Sequence, residues 1–294
     1  MTERATILIV GCGYLGVRVG TLLLARGARV AATTRSPGRL RDLAGLGFEP
    51  EILDLSRLDA SAVWARAFGG VVWSVAPGRG GDARLAFREG PIACARKIAG
   101  GPGPAPVPFV FVSSTGVYAE DSGGWVDERS PAEPAEERLR WLREGEDALR
   151  DLSARGAVRA AIVRSGGLYG PGRSPLTWLL RPEMRASISR GRPDAYMNWI
   201  RVEDAAEAAV LALERGRPGE IYDAVDGEPV RRADFYGLAA ELAGAAPLEF
   251  AGSGGLGKRV RGEKARAELG FRTRFASYRE GLRDLSGRQG QTQD

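Results

Sequence analysis

Apolar and polar positions switch between two periods along the first half of the chain. Ala5–Val10 is a continuous apolar run, which predicts a strand buried on both faces. Leu15, Val19, Leu22 and Leu23 then recur at helical spacing, predicting a helix over Leu15–Arg26 that Gly27 ends as a C-cap. The alternation repeats: strands are expected at Ala28–Thr34, Glu51–Asp54, Val71–Val75, Val107–Ser113 and Val158–Ser165, with helices at Asp82–Ala99 and Ala135–Ala154. Gly78–Gly81 and Gly100–Pro108 fall between elements and read as loops. Strand–helix alternation of this kind makes βαβ units and a parallel sheet, hence an α/β protein. After Ser165 the pattern loosens. It offers a Gly-rich run at Gly166–Arg173, an Ala-rich helix at Glu203–Glu214 with Asp204 placed to cap it, and a strand at Glu220–Ala224. A helix at Ala233–Ala243 and a last one at Lys258–Leu269 follow, with fraying expected beyond Ser286. No internal repeat is visible.

Composition narrows the function. The 294 residues are 44% hydrophobic and 27% charged, which fits a globular protein and excludes disorder. No apolar run approaches the ~20 residues of a membrane helix, and Ala5–Val10 is too short for a signal-peptide core. Two cysteines, Cys12 and Cys94, cannot frame a disulfide scaffold, so a reducing, cytoplasmic setting is expected. Histidine is absent, which removes Ser-His and Cys-His catalysis and His-ligated metal; no metal site is expected. The net charge of +5 raises nucleic acid as a partner, but the arginines are scattered among acids and no basic block is interleaved with aromatics along the chain. The expected partner is therefore a small, phosphorylated or otherwise anionic molecule, with neither nucleic acid nor membrane.

Chemistry appears first in the turn after the first strand. Gly11-Cys12-Gly13-Tyr14-Leu15-Gly16 spells G-x-G-x-x-G between a buried strand and a helix. Gly11 permits the tight turn, Gly13 lets backbone approach a pyrophosphate, and Gly16 allows helix and strand to pack closely. A helix N-terminus behind them offers free N–H groups to phosphate. Strand two then ends Ala31-Ala32-Thr33-Thr34-Arg35-Ser36, with no acid before Asp42. An NAD site carries a carboxylate there for the ribose hydroxyl; Arg35 instead offers a forked cation suited to the 2′-phosphate of NADP, with Thr34, Ser36 and Arg39 as further donors. Asp54, at the end of strand three, and Val75, Ala76 and Pro77, at the end of strand four, sit where open α/β sheets bind ligands.

Three later segments carry a resemblance. Val112–Tyr118 (VSSTGVY), Arg164–Arg173 (RSGGLYGPGR) and Asn198–Asp204 (NWIRVED) occur in that order, and from Ile7 to about Leu282 the chain resembles the extended branch of the short-chain dehydrogenase/reductase superfamily, the NAD-dependent epimerase/dehydratase group. The resemblance implies a Rossmann-type doubly wound parallel sheet with a small, mostly C-terminal substrate lobe. Residues 1–165 are expected to form the NADP-binding domain, and 166–294 to complete the sheet and build the lobe. It also implies that Ser113 touches the cofactor, that Ser114 is the site hydroxyl, and that the protein is a monomer or homodimer.

The family's acid–base pair, Tyr-x-x-x-Lys on one helix, is missing. Aligning Glu146 with the family's following acid puts Arg138 at the Tyr position and Leu142 at the Lys position, and no tyrosine in the chain is followed four residues later by lysine. Substitutes are sought in Tyr118 and Tyr169 as acids, in Arg140 (with Arg138) as an anion or oxyanion holder, and in Glu120, Asp121, Asp127 and Glu128 as carboxylates. A basic rim for substrate at Gly257–Val260 is a further expectation. The implied function is an NADP-dependent reductase or epimerase with non-standard acid–base residues. The alternatives are a non-catalytic NADP(H) sensor or partner subunit, or a redox-neutral cyclase or dehydratase.

Overall fold

Seven parallel strands form the main sheet of the computed structural model, which describes residues 5–78, 80–103 and 105–290. In chain order the first half runs β1 (Thr6–Val10), α1 (Tyr14–Ala25), β2 (Arg29–Thr34), α2 (Leu40–Gly45), β3 (Glu49–Ile52), β4 (Gly70–Trp73), α3 (Gly90–Ala99), β5 (Val107–Ser114), β6 (Ser122–Val126), α4 (Glu137–Ala154) and β7 (Val158–Ser165). The second half runs β8 (Gly167–Tyr169), α5 (Pro175–Trp178), α6 (Pro182–Ser189), β9 (Tyr196–Met197), β10 (Trp199–Arg201), α7 (Val202–Arg215), β11 (Ile221–Ala224), β12 (Val230–Arg231), α8 (Arg232–Ala243), β13 (Gly257–Val260) and α9 (Tyr278–Gly290). The main sheet has the order β11-β7-β5-β4-β1-β2-β3, so the strand order reverses between β1 and β4. That reversal makes a doubly wound Rossmann-type fold, with its crevice at the carboxyl ends of the strands.

Both faces of the sheet are covered. α1 and α7 pack on one side through Val19, Leu23, Ala205 and Ala209, while α3 and α4 pack on the other through Cys94, Ile98, Leu142 and Leu149. Burial on both faces explains why β1 and β4 read as unbroken apolar runs and why β5 and β7 are largely apolar. A third cluster around Tyr169, Trp199, Phe235 and Leu282 makes the core of the smaller lobe. The lobe also carries a four-stranded sheet, β12-β9-β13-β6, so it borrows one strand from the first half of the chain.

Several sequence expectations need correction. β3 is Glu49–Ile52 rather than Glu51–Asp54, because the edge strand has no apolar run to mark it. Lys258–Val260 is the end of a strand, β13, paired with β6; helix follows only from Glu263, with a π-helical stretch at Ala265–Leu269. α9 continues to Gly290 where fraying was expected from Ser286, and the remaining residues of that expectation, 291–294, lie outside the described residues. Asp204 does not cap its own helix; its buried carboxylate accepts the Arg274 and Phe275 amides at 2.7 and 3.2 Å, tying the segment before α9 to the start of α7.

Asp226, just beyond β11, is buried, and burial pushes its carboxyl up to about 8. An unfolded carboxyl titrates near ~3.9. Between those values the unfolded chain releases this proton while the folded chain holds it, so stability falls as pH rises from about 4 to about 8. Asp226→Asn is therefore expected to lose less stability between about pH 5 and about pH 8 than the parent, read from urea midpoints. Parallel losses in the two proteins would refute this.

Candidate dinucleotide site

A cleft of about 620 Å³ opens at the strand-order reversal. Its floor is the β1–α1 turn. Gly11 has φ +85, and a Cβ there would stand 2.7 Å from Val75 Cγ2, so the turn and the end of β4 touch through bare backbone. Three side chains fix the turn. Thr33 Oγ1 accepts the Gly11 amide at 3.1 Å, Ser74 Oγ donates to the Gly11 carbonyl at 2.9 Å, and Arg39 donates to the Cys12 carbonyl at 2.9 Å. The Cys12 and Gly13 amides are taken by the Thr33 and Gly11 carbonyls at 3.0 and 2.7 Å, so the donors left for a phosphate are the first amides of α1, which a helix leaves without intrahelical partners. Gly16 lies behind the turn, where a Cβ would come within 2.7 Å of the Gly11 carbonyl oxygen; it packs and does not line the cleft.

The cleft is cationic where β2 ends. Arg35 and Arg39 line the cleft together with Thr34 and Asp54, and Arg35 is exposed. Asp54 accepts both the amide and the hydroxyl of Ser56, which holds its carboxyl below the usual range, so it stays an anion shaping its own turn. Ser36 stands outside the cleft wall. Val75, Ala76 and Pro77 line the opposite side as expected of the end of β4.

Toward the far end the walls become apolar: Ala86 and Phe87 from the π-helical stretch Leu85–Glu89, Leu142 from α4, and Leu168 from β8. A Cβ on Gly145 would stand 2.0 Å from the Phe87 carbonyl oxygen, so this glycine lets α4 lie against the bulge and brings Leu142 to the cleft. Ser113 and Ser114 complete this end. Ser113 Oγ donates to Glu146 Oε1 at 2.5 Å, which leaves its lone pairs as acceptors toward the cleft. Ser114 Oγ accepts the Gly116 amide at 3.1 Å, which leaves its own proton free to donate. Two neighbouring hydroxyls thus present opposite polarity.

The proposed acid–base substitutes lie elsewhere. Tyr118 is buried and donates its hydroxyl to Asp223 Oδ2 at 2.7 Å; burial and the Asp223 charge push its phenol far up. Tyr169 is wholly buried in the lobe core against Trp199 and Phe235, and burial raises its phenol strongly. Neither lines the cleft, so neither is its acid. Arg140 is exposed on α4 and donates to the Ala135 carbonyl, while Arg138 pairs with Glu136; both point away from the cleft wall. Glu120 and Asp127 accept backbone amides of their own turns, Asp121 accepts the Gly257 amide, and Glu128 the Asp223 amide. Lys258, in the expected basic rim, donates to the Tyr118 carbonyl at 2.5 Å, and burial lowers its pKa. Cys12 is buried in the turn with its thiol pushed up to about 11 by burial, a packing residue rather than a nucleophile.

Buried polar groups behind the cleft form one assembly. Glu146 takes Arg164 on both carboxylate oxygens at 3.0 and 2.6 Å, and the Arg164 guanidinium lies 4.7 Å from the Tyr118 ring centroid. It holds β5, β7 and α4 in fixed relation under Ser113.

The residues that sequence reasoning missed are Thr33, Ser74, Phe87 and Arg173. Arg173 lines the cleft, 4.5 Å from the Tyr14 ring centroid, with Arg18 4.3 Å from that centroid. Nothing in the sequence places this arginine beside a turn some 160 residues earlier; only the return of the chain after β8 does so.

Family comparison now decides the class. Residues 92–224 match the NAD dependent epimerase/dehydratase family. Protein YeeZ of Escherichia coli K12 is 31% identical over 283 residues, covering 92% of this chain and 96% of its own. The chain belongs to the NAD-dependent epimerase/dehydratase family. Solved structures of the same extended short-chain dehydrogenase/reductase fold superpose over nearly the whole chain. A superfamily protein of Agrobacterium tumefaciens with bound NAD does so with TM-score 0.79 at 19% identity, covering 98% of both chains. RMD of Pseudomonas aeruginosa complexed with NADPH does so with TM-score 0.72 at 16% identity, covering 96% of this chain and 98% of its own. Of the two α4 residues singled out in the sequence, Leu142 lies in the cleft wall and Arg138 is exposed.

Proposed function

We propose that the protein binds NADP in this cleft and acts as a reductase or epimerase on a small anionic or nucleotide-linked substrate. The observation that carries the reading is the cationic adenosine end: Arg35 and Arg39 face the cleft where an NAD site would hold a carboxylate. The glycine turn and the open amides of α1 fit a pyrophosphate, and the apolar walls at Phe87, Leu142 and Leu168 fit a flat nicotinamide ring. When bound, that ring supplies two-electron redox chemistry. Ser114 donates to a substrate carbonyl or hydroxyl oxygen, Ser113 accepts from a substrate hydroxyl, and Glu146 holds Ser113 in that orientation. Arg173 closes over the pyrophosphate from the lobe side. Arg173→Ala is expected to weaken NADPH binding about tenfold, the scale of one charge-assisted hydrogen bond, in a calorimetric titration; unchanged affinity would remove it from the site.

A second reading draws on the same cleft. Among the described residues the cleft lining holds no ammonium, its phenol, Tyr14, belongs to the glycine turn, and the carboxylate beside its apolar end, Asp82, already accepts the Leu85 amide at 2.9 Å, which favours a sensor that binds NADP(H) without turnover. Turnover separates the two: NADPH absorbance is followed with a panel of carbonyl compounds and nucleotide sugars. Absorbance loss that Ser114→Ala slows at least about tenfold supports the enzyme. Tight binding with no loss supports the sensor.

A further inference from the structure

The small sheet of the lobe assembles what the sequence lacks in linear order, a row of alternating cations and aromatic rings. Strand alternation turns Val126, Met197, Val230 and Val260 toward the interior. Their neighbours Trp125, Tyr196, Arg231 and Arg259 therefore lie on the other face, across β6, β9, β12 and β13. Arg231 stands 4.7 Å from the Tyr196 ring centroid, and Arg259 stands 5.0 Å from Tyr196 and 4.9 Å from Trp125. Arg261 follows at 5.1 Å from Trp125. None of these residues lines the dinucleotide cleft, so the row is a separate surface.

Charge on this row is only slightly compensated, by Asp194, whose carboxyl Arg192 and, more weakly, Arg231 hold below the usual range. Arg231 donates to the Asp194 carbonyl and Arg259 to the Gly123 carbonyl, but neither they nor Arg261 meet a carboxylate among the described residues. The nearby acids are already engaged: Asp194 is paired with Arg192, and Asp121 accepts the Gly257 amide. Trp125 remains 46% exposed. A polyanion with flat groups matches both features, since phosphates take the free N–H edges of the guanidiniums while bases stack on open ring and guanidinium surface.

We infer that the outer face of the β12-β9-β13-β6 sheet binds single-stranded nucleic acid. The expectation of no nucleic-acid partner rested on the linear sequence, and it is the strand register that brings residues 125, 196, 231, 259 and 261 together.

The test is fluorescence anisotropy of the full chain with a labelled oligothymidylate of about 20 nucleotides at low salt. The oligonucleotide is expected to bind. The Arg259→Ala/Arg261→Ala double substitution should weaken it at least about tenfold and lower the log–log salt slope by about 1.4, two single-strand phosphate contacts at ~0.7 each. Trp125→Ala should weaken the oligonucleotide about tenfold while leaving inorganic polyphosphate binding unaltered. Arg231→Glu, on the short strand β12, gives an independent check if the double variant misfolds by circular dichroism, and should weaken binding likewise. Absence of binding, indifference to these substitutions, or equal binding of polyglutamate would overturn the inference. Equal loss of oligonucleotide and polyphosphate on Trp125→Ala would do the same.

Discussion

NADPH is expected to bind at least about tenfold more tightly than NADH, and Arg35→Glu is expected to erase or reverse that difference. The 2′-phosphate is the only chemical distinction between the two ligands, so the preference reads the contribution of the group that meets it. A hydrogen bond to a charged group contributes roughly 1.5–3 kcal/mol net, about 10- to 150-fold in affinity. Arg35 reaches the cleft from the end of β2, and Arg39, one helical turn later, reaches it while anchored on the Cys12 carbonyl. Glutamate at 35 restores the carboxylate that suits a ribose hydroxyl and repels a phosphate. Calorimetric titration of both proteins with both nucleotides measures the four affinities. Equal affinities of the parent for NADPH and NADH would refute the assignment of Arg35.

Arg164→Ala is expected to cost about 3–5 kcal/mol of stability, since it strands a buried carboxylate. Glu146 is wholly buried, and Arg164 supplies its two short ion-pair hydrogen bonds from strand β7, with Arg143 farther off at 3.7 Å. A paired Glu146→Leu/Arg164→Leu variant removes both charges and should recover most of the loss, because it exchanges a desolvated pair for apolar packing. Urea unfolding of the parent, the single and the double variants measures this. A loss below about 1 kcal/mol for the single variant would show that the pair behaves as though solvated. The same assembly predicts a functional trace. Glu146→Leu frees the Ser113 hydroxyl from its acceptor, so any turnover should fall even where the fold survives.

The legible parts of the fold were those with a strong period. β1 and β4 are apolar runs, and β5 and β7 are largely apolar, because helices cover both faces of the sheet, and the glycine turn declares itself by its place between a strand and a helix. Edge and lobe elements were obscure for the converse reason. β3 pairs on one side only and reads Glu-Pro-Glu-Ile, while β13 reads Gly-Lys-Arg-Val, whose charges imitate a solvated helix although Lys258 turns inward to the Tyr118 carbonyl. α9 escaped notice because its sequence carries five charged residues and three glycines among few apolar positions.

The glycine-turn side of the cleft was legible, and its opposite side was not. Thirteen of the fifteen expected cofactor residues line the cleft, with Gly16 behind the turn and Ser36 beyond it. Phosphate recognition uses contiguous backbone, which a local motif records. Tyr118 and Tyr169 lie in motifs that border the site, but the direction of a side chain depends on packing from distant segments: Asp223 draws one hydroxyl inward, and the lobe aromatics enclose the other. Arg173 shows the reverse case, the last residue of the Arg164–Arg173 motif, to which the sequence assigned no role and which tertiary folding delivers to the Gly11–Gly16 turn.

A crystal structure with NADP bound tests the site most directly. The expected result is a pyrophosphate on the amides that open α1, with the adenosine 2′-phosphate between Arg35 and Arg39 and the nicotinamide against Phe87, Leu142 and Leu168. A nucleotide bound elsewhere, or a 2′-phosphate turned into solvent away from both arginines, would contradict it.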